Sequence, residues 1–205
     1  MVIGERFAWA HLPKTGGSAT VALFQLFPEV IVVADLDDSN VKHTLFSERE
    51  AEVAGKRLVM NIRRLPFWVL SRAQHVARWG VHPDYEPIPI PDADELADSD
   101  FPDDRLKLYT GGGRFEIDRW LRMEHMAKDF LDFISGYTEV TEQRSAVVLD
   151  MPMVNMNDYD HDLASWFTTD QIERMYERNP RWEAIEQQLY GDRVRLERTG
   201  LEASL

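Results

Sequence analysis

Phe7-Ala8-Trp9-Ala10-His11-Leu12-Pro13-Lys14-Thr15-Gly16-Gly17-Ser18-Ala19-Thr20 is the stretch from which the rest of the chain is best read. An apolar run with strand character ends at Pro13, and a lysine, two glycines and three hydroxyl residues follow at once. The amphipathic segment over 19–27 reads as a helix. Strand, tight loop and helix N-terminus together make an anion site, because backbone N–H groups and the positive end of the helix dipole face the loop. Gly16 and Gly17 let the main chain approach the anion closely, Lys14 supplies a charge, and Ser18 and Thr20 supply hydroxyl donors. A Walker A loop places its glycines before the lysine. Here the lysine comes first and Trp9 stands five residues before it, so the ATP/GTP version is not matched. A plain strand-turn-helix connection with a chance lysine is the alternative reading of the stretch.

A second motif follows about fifty residues on. The segment over 57–62 has strand character and runs into Arg63-Arg64-Leu65-Pro66-Phe67-Trp68-Val69-Leu70-Ser71. A guanidinium grips phosphate bidentately, and a serine one or two turns into a helix adds a hydroxyl.

The string His11-Leu12-Pro13-Lys14-Thr15-Gly16-Gly17-Ser18 resembles the 5′-phosphosulfate loop of sulfotransferases that use 3′-phosphoadenosine 5′-phosphosulfate (PAPS). It is most similar to the carbohydrate-sulfotransferase branch, whose usual form is H-x-P-K-T-G-[GST]-[ST]. In that family a strand ending in Arg, a turn with Pro, and a helix bearing Ser eight residues after the Arg hold the 3′-phosphate. Arg63 and Ser71 keep that spacing, but Pro66 follows Arg63 by three residues rather than two, and Trp68 replaces a further arginine. Counted from Arg64, the proline fits and the serine is one short; the spacing to Ser71 favours Arg63. Arg122-x-Glu124 with Asp129-Phe130 resembles the family's late strand and helix, and 166–192 is similar to its C-terminal helices.

The resemblance implies a three-layer α/β/α fold around a mainly parallel sheet, P-loop-NTPase-like, as one domain over 1–205. It implies transfer of a sulfuryl group from PAPS to a hydroxyl on a sugar, lipid or small alcohol, with release of 3′,5′-ADP and no need of a metal. Carried over by position, Lys14, Thr15, Gly16, Gly17, Ser18 and Ala19 surround the phosphosulfate, and Arg63 and Ser71 hold the 3′-phosphate. Relatives often carry their base where His43 stands; Glu48 and Asp35 are alternatives. His11, three residues before Lys14, acts on the phosphosulfate side or packs at the strand end. His75, one turn beyond Ser71, reads as a surface or interface residue; His82, His125 and His161 have no partner pattern, and no H-x-x-x-H spacing calls for a metal. Two other classes stay open: a non-catalytic nucleotide-phosphate-binding module on the same fold, and a P-loop-like kinase.

Bulk properties bound these readings. The 205 residues suffice for one sizeable core. No apolar run reaches membrane-span length, and no basic segment followed by an apolar one opens the chain, so a cytoplasmic, bacterial enzyme without a membrane anchor is expected. The absence of cysteine excludes disulfides and thiolate metal sites. The formal charge of −13 disfavours nucleic-acid and anionic-membrane partners. It also opposes PAPS unless positive charge is concentrated at the site, where Lys14, Arg63, Arg64 and Arg72 fall. On this balance a neutral acceptor is expected rather than a highly sulfated polysaccharide. No signal fixes the oligomeric state.

Alternating short strands and helices predict a parallel sheet covered on both faces, with ligands at the carboxyl ends of the strands. Strands are expected over 6–11, 30–34, 57–62, 119–123 and 146–149. Helices are expected over 18–27, 46–54, 67–78, 126–135, 170–178 and 181–189, with Thr168 and Gln171 as a capping box and Pro180 opening the last. The segment 83–104 holds nine acidic residues, five prolines and no lysine or arginine. It is expected to be an insertion without regular core structure, solvated or acting as an acceptor lid. Gly111-Gly112-Gly113 is expected to be a hinge.

Overall fold

The computed structural model describes residues 1–35, 43–79, 89–152 and 158–196. Its centre is a five-stranded sheet, β1 (Val2–Ile3), β2 (Phe7–Ala10), β3 (Val33–Ala34), β4 (Arg57–Ile62) and β5 (Arg119–Arg122), in the order β3-β1-β2-β4-β5. β2 pairs parallel with β4, Ala10 opposite Met60, and β4 pairs parallel with β5. β1 is antiparallel to both its neighbours, so β3 again points the same way as β2. From β2 the chain crosses to β3 on one side, and from β4 to β5 on the other. That reversal opens a crevice at the carboxyl ends of β2 and β4.

Strand alternation splits the core in two. Ala8, Ala10, Leu58, Met60 and Ile62 face one layer, made with α3 (Leu65–Trp79), α4 (Ala93–Ala97), α5 (Phe101–Tyr109), α8 (Thr169–Arg178) and α9 (Pro180–Tyr190). Phe7, Trp9, Val59 and Leu121 face the other, made with α1 (Gly17–Gln25), α6 (Met126–Ile134) and α7 (Glu142–Leu149). Helices therefore cover both faces of a mixed, mostly parallel sheet. A short α2 (Glu50–Val53) and several 3-10 turns complete the described structure.

β4, α3, β5, α6 and the two C-terminal helices match the expected elements within a few residues. The Thr168–Gln171 capping box forms, and Pro180 opens α9. Four expectations are corrected. The expected strand over 146–149 is the end of α7: Thr141 caps that helix, its hydroxyl accepting from the Arg144 N–H, and a short apolar run cannot by itself tell strand from helix. The expected helix over 46–54 splits into a 3-10 turn, Phe46–Arg49, and α2. Gly111–Gly113 forms a 3-10 turn.

The fourth correction concerns the acidic segment. The expected insertion falls partly outside the described residues, but its remainder contributes α4 and the start of α5, with Ala97 and Pro102 buried. Two of its carboxylates, Asp92 and Asp103, accept from backbone N–H groups at helix starts. Asp92 accepts from the Glu95 N–H at 2.8 Å to start α4. Asp103 sits in the first turn of α5 and also accepts from the N–H groups of Arg181 (2.9 Å) and Trp182 (2.8 Å) at the start of α9. Negative charge at helix N-termini offsets the dipole, and proline is tolerated in a first turn. Among the described residues, the segment read as a solvated insertion contains the starts of two helices.

Candidate functional site

His11 to Gly16 leave the carboxyl end of β2 as a loop whose carbonyls are drawn into the protein. The Leu12 carbonyl accepts from the Thr15 hydroxyl at 2.7 Å, and the Pro13 carbonyl from the Trp68 indole N–H at 2.8 Å. The Thr15 carbonyl accepts from the Asn61 amide at 3.0 Å, and the Gly16 carbonyl from the Thr20 hydroxyl at 3.2 Å. Asn61 is fully buried at the end of β4. Its Oδ1 accepts from the Trp9 indole at 2.8 Å, and its amide also donates to Thr20 Oγ1 at 2.6 Å. Two buried tryptophans, an asparagine and two threonines thus fix the loop from behind. A peptide whose oxygen is held inward presents its N–H the other way, and the first turn of α1 has N–H groups without intrahelical acceptors.

The loop backbone is strained where the charge sits. Lys14 is the one non-glycine residue with positive φ among those described, at 67°. Gly16, at φ 84°, precedes α1 in the same left-handed region. A Cβ on Gly16 would crowd Met126 and Met123 of the β5–α6 connection at 3.1 and 3.3 Å. A Cβ on Gly17 would come within 1.8 Å of the His11 ring. His11 is therefore packed directly against the first residue of α1.

His43 lies beside it, with ring centroids 4.5 Å apart. His43 is exposed, and its Nδ1 is 3.2 Å from the His11 carbonyl oxygen. A carbonyl only accepts, so that contact is a hydrogen bond when Nδ1 carries the proton, which leaves Nε2 as the basic nitrogen. The two histidines singled out in the sequence thus meet at the edge of the lysine loop. Glu48, an alternative base, instead accepts from the Leu45 N–H at 2.6 Å. Asp35 pairs with Arg49 at 2.9 Å.

The second motif divides the two arginines. Arg64 donates to Glu186 at 3.3 Å and to Asp192 at 2.6 Å, and its guanidinium lies 4.4 Å from the Tyr190 ring centroid. Glu186 is fully buried, and also accepts from the Leu65 N–H (2.8 Å) and the Tyr176 hydroxyl (2.7 Å). Burial pushes its carboxyl above the ordinary value although those donors pull it down. Arg64 is committed to this junction between α3 and α9. The Arg63 carbonyl accepts from the Trp182 indole at 2.9 Å, and its half-buried guanidinium makes no ion pair among the described residues. Ser71 is buried on α3, two turns further on.

Arg122 and Asp129 of the late motif form a bidentate pair, both bonds at 2.8 Å, and Asp129 also accepts from the Arg122 N–H at 2.9 Å. Glu124 accepts from the Arg64 N–H at 3.1 Å and from the Tyr190 hydroxyl. These residues tie β5 to α6, α3 and α9 and explain that pattern structurally.

Beside the loop opens a cleft of about 380 Å³, lined in part by Pro13, His43, Trp68, Arg72, Arg105 and Tyr109. A larger cleft, about 760 Å³, runs along β5 past Phe115, Trp120 and Leu189, away from the lysine loop. Sequence reasoning missed Asn61, Arg105 and Tyr109, and counted Trp68 only as a departure. A polar residue at the buried end of an otherwise apolar strand was the one available signal for Asn61. No helix among the described residues is long and apolar enough to cross a membrane. No family model matches the chain, and no curated protein matches it.

Proposed function

We propose that the protein is a PAPS-dependent sulfotransferase with the P-loop-like fold of that family. The observation that carries this reading is the 11–18 loop: strained at Lys14, held by its carbonyls, and set between the α1 N-terminus and two adjacent histidines. Lys14 and the N–H groups from Thr15 to Ala19 would receive the 5′-phosphosulfate, with the Ser18 hydroxyl beside them. Arg63 and Ser71, at the end of the neighbouring parallel strand and on the next helix, would take the 3′-phosphate. The commitment of Arg64 to Glu186 and Asp192 supports the Arg63 register.

In the reaction the acceptor hydroxyl oxygen attacks sulfur. An O–S bond forms, the bond from sulfur to the bridging phosphate oxygen breaks, and the proton passes to Nε2 of His43. The electron pair leaves with 3′,5′-ADP, whose developing charge Lys14 and the loop amides stabilise. His11, packed under Gly17, would position the loop from the phosphosulfate side.

Calorimetric titration of 3′,5′-ADP, 5′-AMP and ATP tests the reading. Preference for 3′,5′-ADP is expected, by about tenfold or more for one additional charge-assisted phosphate contact. Equal affinities for 3′,5′-ADP and 5′-AMP would remove the 3′-phosphate site and leave a plain phosphate-binding module. Tightest binding of ATP would favour a kinase.

A further inference from the structure

The cleft beside the loop contains two guanidinium groups that the transfer chemistry does not use. Arg72, on α3 one turn after Trp68, lies 4.2 Å from the Phe101 ring centroid, and Arg105, on α5, lies 4.7 Å from the same ring. Both side chains are half-buried, and neither makes an ion pair among the described residues. Burial, and then the neighbouring Arg105 charge, hold the Arg72 guanidinium below its ordinary pKa. Glu48, the carboxylate in the cleft wall, is turned to the Leu45 N–H. In a chain of net charge −13, two adjacent cations without a counter-ion among the described residues mark a place where an external anion is stabilised.

The position of the pair says which anion. The same cleft is walled by Pro13 of the lysine loop and by His43. The Tyr109 hydroxyl donates to the His43 carbonyl oxygen at 3.3 Å, tying α5 to the histidine segment. A molecule seated here shares one cleft with the proposed base and the two arginines. The aromatic wall of Trp68, Phe101 and Tyr109 suits a ring.

We propose that this cleft is the acceptor site and that Arg72 and Arg105 select an alcohol bearing one anionic group, a carboxylate or a sulfate, on a sugar or aryl ring. This rests on the sulfotransferase reading and replaces the neutral acceptor expected from overall charge. Two arginines match a single anionic group, whereas a polyanion would be opposed by the net charge of −13.

Calorimetry with the wild-type protein, with and without 3′,5′-ADP, tests it on isosteric pairs: glucuronate against glucuronamide, and 4-hydroxybenzoate against 4-hydroxybenzamide. At least one carboxylate should bind about tenfold more tightly than its amide. Arg72→Gln and Arg105→Gln should each remove that preference and leave 3′,5′-ADP affinity unchanged. Arg72→Lys and Arg105→Lys, which keep the charge, should retain most of it and control for folding. Absence of preference in both pairs overturns the proposal. So does loss of 3′,5′-ADP binding in the glutamine variants, which would make the cleft a nucleotide-phosphate site. Failure of the sulfotransferase reading looks different: wild-type protein would then not distinguish 3′,5′-ADP from 5′-AMP, whatever the carboxylates do.

Discussion

Replacing Lys14 by glycine should stabilise the fold and disable the site at once. At φ 67° the lysine backbone sits in the left-handed region, which costs an L-residue about 1–2 kcal/mol. Glycine removes that cost but loses about 0.5–1 kcal/mol more conformational entropy on folding. The balance is a gain of about 0.5–1 kcal/mol, or roughly 2–4 °C in melting temperature at the upper end for a chain of this size. Lys14→Ala keeps the strain and should melt within about 0.5 kcal/mol of wild type. Both variants lose the proposed charge-assisted phosphate contact, worth about 1.5–3 kcal/mol, so 3′,5′-ADP should bind roughly ten- to a hundredfold more weakly. Thermal denaturation monitored by circular dichroism, with calorimetric titration of each variant, separates the two effects. A glycine variant that melts below the alanine variant would refute stored strain at this residue. Unchanged 3′,5′-ADP affinity in both would refute the phosphate assignment of the loop.

Arg64→Met should cost about 3 kcal/mol in urea denaturation, because it strands the buried Glu186 carboxylate. Arg63→Ala should change stability by less than about 0.5 kcal/mol yet weaken 3′,5′-ADP far more than 5′-AMP; the reverse pattern would mean that Arg64 holds the phosphate. His43→Ala should lower kcat for sulfuryl transfer by about a hundred- to ten-thousandfold with nucleotide affinity kept, and near-native turnover would pass the role to His11 or Glu48. Burial would raise the Asp129 carboxyl, but its hydrogen bonds from Arg122 outweigh that and hold it below its ordinary 3.8. Its contribution to stability is therefore complete above that pH and lost as pH falls through the lower folded value; Asp129→Asn should flatten this acid limb in a pH series of melting curves.

The parts of the fold written in local pattern were legible, and the parts that depend on distant partners were not. β4 was readable because its alternating residues enter opposite layers. The α8 cap was readable because Thr168 and Gln171 lie within one turn. β1 and the shortened β3 carry two residues each and are held mainly by pairing across the sheet, which no local window contains. The acidic segment misled because composition does not reveal what a carboxylate caps. Asp103 meets the start of α9 across more than seventy residues. At the site, the lysine loop was recognisable as a string, whereas its support by Trp68 and Asn61 comes from α3 and β4 and shows only in three dimensions.

Trp68 shows why the two motifs should be treated as one device. Read along the chain, it stands where the sulfotransferases that the sequence resembles carry a further arginine. In the fold it is almost fully buried, with its ring 4.9 Å from that of Trp182, and its indole N–H holds the Pro13 carbonyl of the other motif. Trp182 in turn holds the Arg63 carbonyl. A chain of two indoles therefore links the lysine loop, α3, α9 and the arginine that begins the second motif. An arginine at 68 would add charge near the proposed nucleotide site but would place a cation in an aromatic core and remove this link. Under the proposed sulfotransferase reading, tryptophan at 68 gives up one phosphate contact for rigidity between the two motifs, and the exchange is sound only if the remaining arginine is well placed. Arg63, whose carbonyl the same link holds just past β4, is the cation on which that depends.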